Sequence, residues 1–146
     1  MKVSTKGRYG LRVMIELAAK YGQGPVLVET IAHNQEISAK YIHVLMAGLR
    51  SGGFIRSVRG PSGGYELSRP PAEITALEVV RALEGDLAPV DCVTEADTCS
   101  RSGTCVTREM WCEVAEAVAE VLGGYTLADL ARRQAEKDSS QSAYTI

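Results

Sequence analysis

From residue 5 to residue 21 apolar side chains recur every three or four positions, at Tyr9, Val13, Met14, Leu17, Ala18 and Tyr21, which puts them on one stripe of a helix. Gly22, Gly24 and Pro25 end that stripe. The next pattern is shorter. A helix is expected over residues 28–34 with Ile31 inward, followed by a turn at Gln35 and Glu36. Ser38 then serves as the N-cap of a third helix running to about Ser51, with Ile42, Leu45, Met46 and Leu49 on its buried side. Short helix, tight turn and second helix make a helix-turn-helix.

Residues 54–58 and 64–67 read as two strands joined by the turn Arg59-Gly60-Pro61-Ser62-Gly63, a hairpin placed as the wing of a winged helix-turn-helix. Thr75-Ala76-Leu77-Glu78 is a capping box, opening a helix that runs through Leu83 and is stopped by Gly85. Residues 86–103 are too polar and too long for an ordinary connection, so they are expected to be functional or partly disordered. The longest helix is expected over residues 104–122, with Val106, Met110, Val114, Val118 and Val121 on one side. At about 1.5 Å per residue it spans nearly 30 Å, more than a small domain needs for its own core, and the surplus suggests a dimer interface. Thr126 caps a last short helix containing Leu127 and Leu130, and from about Gln134 the tail is polar until Tyr144 and Ile146. The expected fold is mainly α with a small β-hairpin wing. Its divisions are a winged helix-turn-helix DNA-binding domain (1–75), the cysteine loop with dimerisation helices (76–134) and a polar C-terminal tail (135–146).

Charge changes this picture more than composition does. The formal net charge is -2, yet residues 1–75 hold ten Lys and Arg against five Asp and Glu, and residues 76–146 hold six against thirteen. Such a split fits a half that faces a polyanion joined to one that avoids it, and equally two ordinary solvated surfaces. No run of about 18 apolar residues could cross a membrane, and Lys2, Lys6, Arg8 and Arg12 leave no room for an export signal, so no membrane partner and a cytoplasmic location are expected.

Opposite the buried stripe of the third helix lie Lys40, His43, Ala47 and Arg50. A recognition helix touches base edges with its N-terminal side chains, which makes Ser38, Lys40 and His43 the candidates for sequence reading. Arg50, and Lys6 and Arg8 at the start of helix one, suit phosphate, and backbone N–H groups near Thr5 and Lys6 could add a phosphate contact. On the wing, Arg59 suits the minor groove or phosphate, with Ser57 and Ser62 beside it and Arg56 and Arg69 flanking. His33 is assigned to the fold.

The four cysteines, Cys92, Cys99, Cys105 and Cys112, lie within 21 residues. In a reducing compartment such a cluster points to a metal or redox site rather than a disulfide framework. Soft thiolates on a flexible loop suit an iron-sulfur cluster, and the CxxC pairs of structural zinc sites are absent. A bare thiol or disulfide switch, a zinc site and a purely structural role stay open beside it. An enzyme such as a thiol oxidoreductase is disfavoured, because there is no CxxC, no Cys-His-acid spacing and no glycine-rich phosphate loop after a strand.

Three stretches carry a resemblance: Lys2-Val3-Ser4-Thr5-Lys6-Gly7-Arg8-Tyr9-Gly10, Ser57-Val58-Arg59-Gly60-Pro61-Ser62-Gly63-Gly64-Tyr65, and Leu77-Glu78-Val79-Val80. In these the chain resembles the IscR, NsrR and CymR family of bacterial transcriptional regulators over nearly its whole length. The resemblance implies a homodimer on a partly palindromic double-stranded DNA operator, with the long helices crossing at the interface. His43 departs from it, since IscR-type regulators carry Glu there. Members with a cysteine loop, IscR-like and NsrR-like, imply a cluster held by Cys92, Cys99 and Cys105, with 2Fe-2S placed ahead of 4Fe-4S. The IscR-type fourth ligand is a His three residues after the third Cys, where this chain has Arg108. The NsrR-type ligand is an acid on helix one of the partner subunit, where this chain has Arg8. Cys112 is the substitute fourth ligand, although on a helix it sits about 10 Å along the axis from Cys105, and Asp91, Glu95 and Asp97 are the oxygen alternatives. The resemblance thus implies a repressor sensing cluster status or redox and nitrosative stress, controlling iron-sulfur or sulfur genes. A bound cluster would order the loop and set the two recognition helices about 34 Å apart. The other reading is a CymR-like regulator of cysteine metabolism, acting through an enzyme partner or a thiol switch without a cluster. The tail Ala143-Tyr144-Thr145-Ile146 resembles the ends of CymR-type chains.

Overall fold

The computed structural model describes residues 2–144, so Thr145 and Ile146 of that tail lie outside the described residues. Helix α1 (Thr5–Ala19) starts where the Ser4 side chain accepts the Lys6 N–H. It ends two residues earlier than its apolar period suggests, and Tyr21 is exposed because the chain turns away through Gly22 at φ 81°. Helix α2 (Val28–Gln35) ends at Glu36, whose left-handed backbone, φ 55° and ψ 44°, makes the turn into α3 (Ala39–Ser51). Ser38 caps α3 by accepting the Tyr41 N–H at 3.2 Å. Glu16, buried on α1, holds this turn: Asn34 Nδ2 donates to one carboxylate oxygen at 2.6 Å and Gln35 Nε2 to the other at 2.7 Å.

The helix-turn-helix closes over a core that includes Val13, Met14, Leu17, Ile31, Ile42, Leu45 and Leu49, all at most 1% exposed. Burying each such side chain stabilises the fold by about 1.5–3 kcal/mol against leaving it in water. Strands β1 (Ile55–Val58) and β2 (Gly64–Leu67) pair antiparallel, Ile55 opposite Leu67 and Val58 opposite Gly64. Val26 bridges to Tyr65 through N–H···O bonds of 2.8 and 2.9 Å, which fastens the hairpin to the segment before α2. Gly64 is required there: its φ is 151°, and a Cβ would meet the Val26 carbonyl oxygen at 2.2 Å.

Helix α4 (Ala76–Glu84) begins with the expected capping box, Thr75 and Glu78 bonded reciprocally, and packs on α1. Where α1 and α4 meet, a Cβ on Gly10 would lie 2.1 Å from Leu83 Cδ1 and one on Gly7 2.5 Å from Glu84 Oε1. The segment after Gly85 contains a short helix, α5 (Asp91–Thr94), and a 3-10 turn (Ala96–Thr98), more structure than its polar composition suggests. Helix α6 (Val106–Gly123) has no buried residue; Val106 is 75% and Val121 61% exposed.

Helix α7 runs from Leu127 to Tyr144, so residues 135–144 are helical where a polar tail was expected. The apolar period does stop at Leu130, but the residues beyond it are mostly good helix formers. Gln134 Nε2 donates to Asp138 at 2.9 Å, a side-chain pair of the i,i+4 kind that supports a helix without an apolar stripe. Leu127 is fully buried, and α7 packs along α1. Among the described residues no helix is long and apolar enough to cross a membrane.

Candidate nucleic-acid interface and thiol segment

Lys40, His43, Ala47 and Arg50 are all exposed on α3, opposite Ile42, Leu45, Met46 and Leu49. The Ser38 hydroxyl oxygen is engaged at the cap, leaving its proton free to donate outward. Ser57, Arg59 and Ser62 are exposed on the wing. Among the described residues, Lys6, Lys40, Arg50 and Arg59 have no carboxylate within 4 Å, so their charges face solvent.

The flanking arginines differ. Arg56 is bound across the hairpin to Glu66 at 2.7 Å, and Arg69 holds Glu78 at 3.0 Å and the Glu73 carbonyl at 2.5 Å. Both are used by the fold. Arg69 also helps hold the Glu78 carboxyl below its ordinary range, after the larger effect of the Thr75 N–H. His33, assigned to the fold, is exposed.

At the start of α1, where backbone N–H groups near Thr5 and Lys6 are expected to meet a phosphate, part of that capacity is taken up within the chain. Lys6 N–H is spent on Ser4, and Glu84, reaching over from α4, accepts from Ser4 N–H at 2.9 Å, Ser4 Oγ at 2.6 Å and Gly7 N–H at 2.9 Å. A carboxylate already complements the positive end of the helix there. The side chains of Thr5 and Lys6, both exposed, remain for any phosphate. Thr5 Oγ1 lies 3.2 Å from the Tyr41 hydroxyl, joining α1 to α3 at this edge. Tyr41 escaped notice in the sequence because an aromatic at the start of an amphipathic helix reads as core.

All four cysteines are free thiols. Cys92 is on α5, Cys99 follows the 3-10 turn and is exposed, Cys105 is the N-cap residue of α6, and Cys112 lies two turns farther on. Arg108, which stands at the position of the IscR-type histidine ligand, donates from Nε to the Cys92 carbonyl at 2.8 Å and ties α5 to α6. The Thr107 hydroxyl, 3.2 Å from Cys105 Sγ, leads the effects that hold that thiol below its ordinary value. Cys112 lines an open cleft of about 620 Å³ with Arg81, Asp86 and Thr94. Among the described residues no three His, Cys, Asp or Glu side chains converge as a metal site. The donor set has the right chemistry for an iron-sulfur cluster, but the arrangement does not fit one.

The chain thus joins a winged helix-turn-helix with a free cationic edge to a long helix whose apolar side is uncovered. Residues 3–133 match the Rrf2 family, described as iron-dependent transcriptional regulators. The chain belongs to the Rrf2 family. It is 42% identical to the HTH-type transcriptional regulator CymR of Bacillus subtilis over 144 residues, 99% of this chain and 97% of that protein. The structure of CymR, the global cysteine regulator of B. subtilis, superposes with a TM-score of 0.77, covering 91% of this chain and 98% of that one. IscR of T. potens is 40% identical with a TM-score of 0.75, over 92% of this chain and 88% of that one. This Rrf2 protein is therefore a DNA-binding transcriptional regulator and not an enzyme.

Proposed function

We propose that the chain works in the cytoplasm as a homodimeric repressor of operator DNA, in which α3 and the wing grip the duplex and the thiols of residues 92–112 set the strength of that grip. The observation that carries the DNA part is the free cationic edge, Lys40 and Arg50 on α3 with Arg59 on the wing, none paired within 4 Å among the described residues. Such charges release counterions on meeting phosphates, while Ser38, Lys40 and His43 reach base edges. The uncovered apolar side of α6 suits a second copy of the chain, which would supply a second α3 for the next major groove.

For the input we favour the thiol reading, a CymR-like regulator of cysteine or sulfur metabolism working without a resident cluster, and open to an enzyme partner. It is supported by 42% identity to CymR, by a Cys105 thiol held toward its thiolate and by ligands that do not converge. Hydrogen peroxide takes two electrons and two protons from a pair of thiols and leaves as two waters while the S–S bond forms. Strain in the segment then has a path to the DNA face. Arg108 holds Cys92, the Thr94 hydroxyl bonds Asp86, and Glu84, two residues before Asp86, holds Ser4 and Gly7 at the start of α1. The second reading, an iron-sulfur cluster on Cys92, Cys99 and Cys105 with Cys112, is supported by the donor set, by the description of the family as iron-dependent and by 40% identity to IscR of T. potens.

The test uses protein purified without oxygen, assayed for iron and acid-labile sulfide. Its affinity for a duplex selected from random sequence is then measured before peroxide, after peroxide, and after dithiothreitol, beside Cys105→Ser. The expected outcome is little iron and a reversible shift of about tenfold, ~1.4 kcal/mol, that Cys105→Ser abolishes. Iron and sulfide at cluster stoichiometry, lost together with DNA affinity, move the input to the cluster. Affinity indifferent to both treatments removes the thiols from regulation.

A further inference from the structure

The outward edge of α3 carries one sizeable apolar side chain among its polar ones. Val44 is 50% exposed, next to His43, four residues after Lys40 and three before the exposed Ala47. At 100° per residue it falls on the same edge as Lys40 and Ala47, well away from the buried Ile42, Leu45, Met46 and Leu49. A single exposed valine is ordinary on most surfaces. This one is placed where a recognition helix meets base edges, and a major groove offers a side chain only one apolar feature, the C5-methyl group of thymine.

Resting on the reading of α3 as the recognition helix, we infer that Val44, with Ala47 beside it, selects a thymine in each half-site through its C5-methyl group. Cytosine at that place lacks the C5-methyl group, so the apolar contact with the two side chains would be lost. Lys40, one turn earlier, is a donor suited to guanine O6 and N7. The half-site therefore contains a thymine read by contact beside a position read by hydrogen bonding.

The probe is the duplex that the full-length protein selects from a random-sequence library. Each thymine in a half-site is replaced singly by deoxyuridine, which removes the methyl group and keeps the base pair. Wild type is expected to bind about fourfold more weakly at one thymine per half-site, the fold-change equivalent to ~0.8 kcal/mol for one buried methyl-sized group. Val44→Ala should bind the unmodified duplex more weakly and lose the response to deoxyuridine at that same thymine. Val44→Thr, which keeps one methyl group, should retain part of it. Unchanged thermal unfolding of both variants, expected for an exposed position, shows that the fold is intact. The inference is overturned if wild type is indifferent to deoxyuridine everywhere, or if Val44→Ala loses the same factor on both duplexes. If the wild-type protein selects no sequence at all, the recognition-helix reading falls and this inference falls with it.

Discussion

Helices α3 and α6 both carry a stripe of valine, leucine or methionine at helical spacing, yet they end in opposite situations. The stripe of α3 is sealed, with Ile42 and Leu49 at 0% exposure, whereas α6 has no buried residue and leaves Val106 and Val121 mostly in water. An amphipathic period says that a face must be covered, and it does not say by what. For α3 the cover comes from α1, α2 and α4 of the same chain. Helix α6 packs on α4 and α5 of its own chain, but that leaves Val106, Met110 and Val121 uncovered, as the proposed second copy would require.

The most direct way to break this contrast is to truncate one side chain on each helix. Ile42→Ala should cost about 2–5 kcal/mol in urea unfolding, because it leaves a cavity in sealed packing, and Val106→Ala, measured at protein concentrations low enough to keep the chain monomeric, should stay within about 0.5 kcal/mol, as exposed positions usually do. Equal losses would mean that Val106 is packed within its own chain after all. A second experiment asks what covers α6. Val114→Asp places a charge in the middle of its apolar side, and sedimentation should show self-association weakened by about a hundredfold, ~2.7 kcal/mol, with helical content preserved. Association that survives unchanged would put the dimer interface somewhere else.

The smallest effect probes the seam between the two regions. Glu84→Gln weakens the bonds to Ser4 and Gly7 and should cost about 1 kcal/mol of stability near neutral pH. The Glu84 carboxyl is held below its ordinary value of 4.5, first by the Ser4 hydroxyl and then by the N–H groups of Gly7 and Ser4. A carboxyl lowered in the folded state stabilises fully above its unfolded value and loses that contribution as the pH falls through the folded one. The gap between wild type and Glu84→Gln should therefore hold above pH 4.5 and narrow in acid; a gap that widens in acid would contradict the assigned bonds.

Most of the winged half was legible in the sequence because its signals are local. Ser38, Thr75 with Glu78, and the glycines around Pro61 each announce a boundary within four residues of where it falls. The length of α7 was not legible in this way. Its period ends at Leu130, and only the helix-forming composition and pairs such as Gln134 with Asp138 carry it to Tyr144. Glu84 was hidden for a different reason, since its partners Ser4 and Gly7 are 80 and 77 residues away and nothing near Gly85 hints at them. Val44 was passed over because a valine in an amphipathic helix is ordinarily counted toward the core. At the thiol segment the residue types were plain from spacing, but Arg108 bonding to the Cys92 carbonyl is tertiary and left no mark in the pattern.

The two glycines of α1 that meet α4, Gly7 and Gly10, have a mechanical consequence. Side chains packed on side chains can absorb a small displacement by changing rotamer on both sides, whereas here only the Leu83 and Glu84 side chains can adjust, because the facing helix presents backbone. Helices α1 and α4 therefore approach more closely than side chains on both would allow, and a displacement of α4 has only the Leu83 and Glu84 side chains to take it up before it reaches α1.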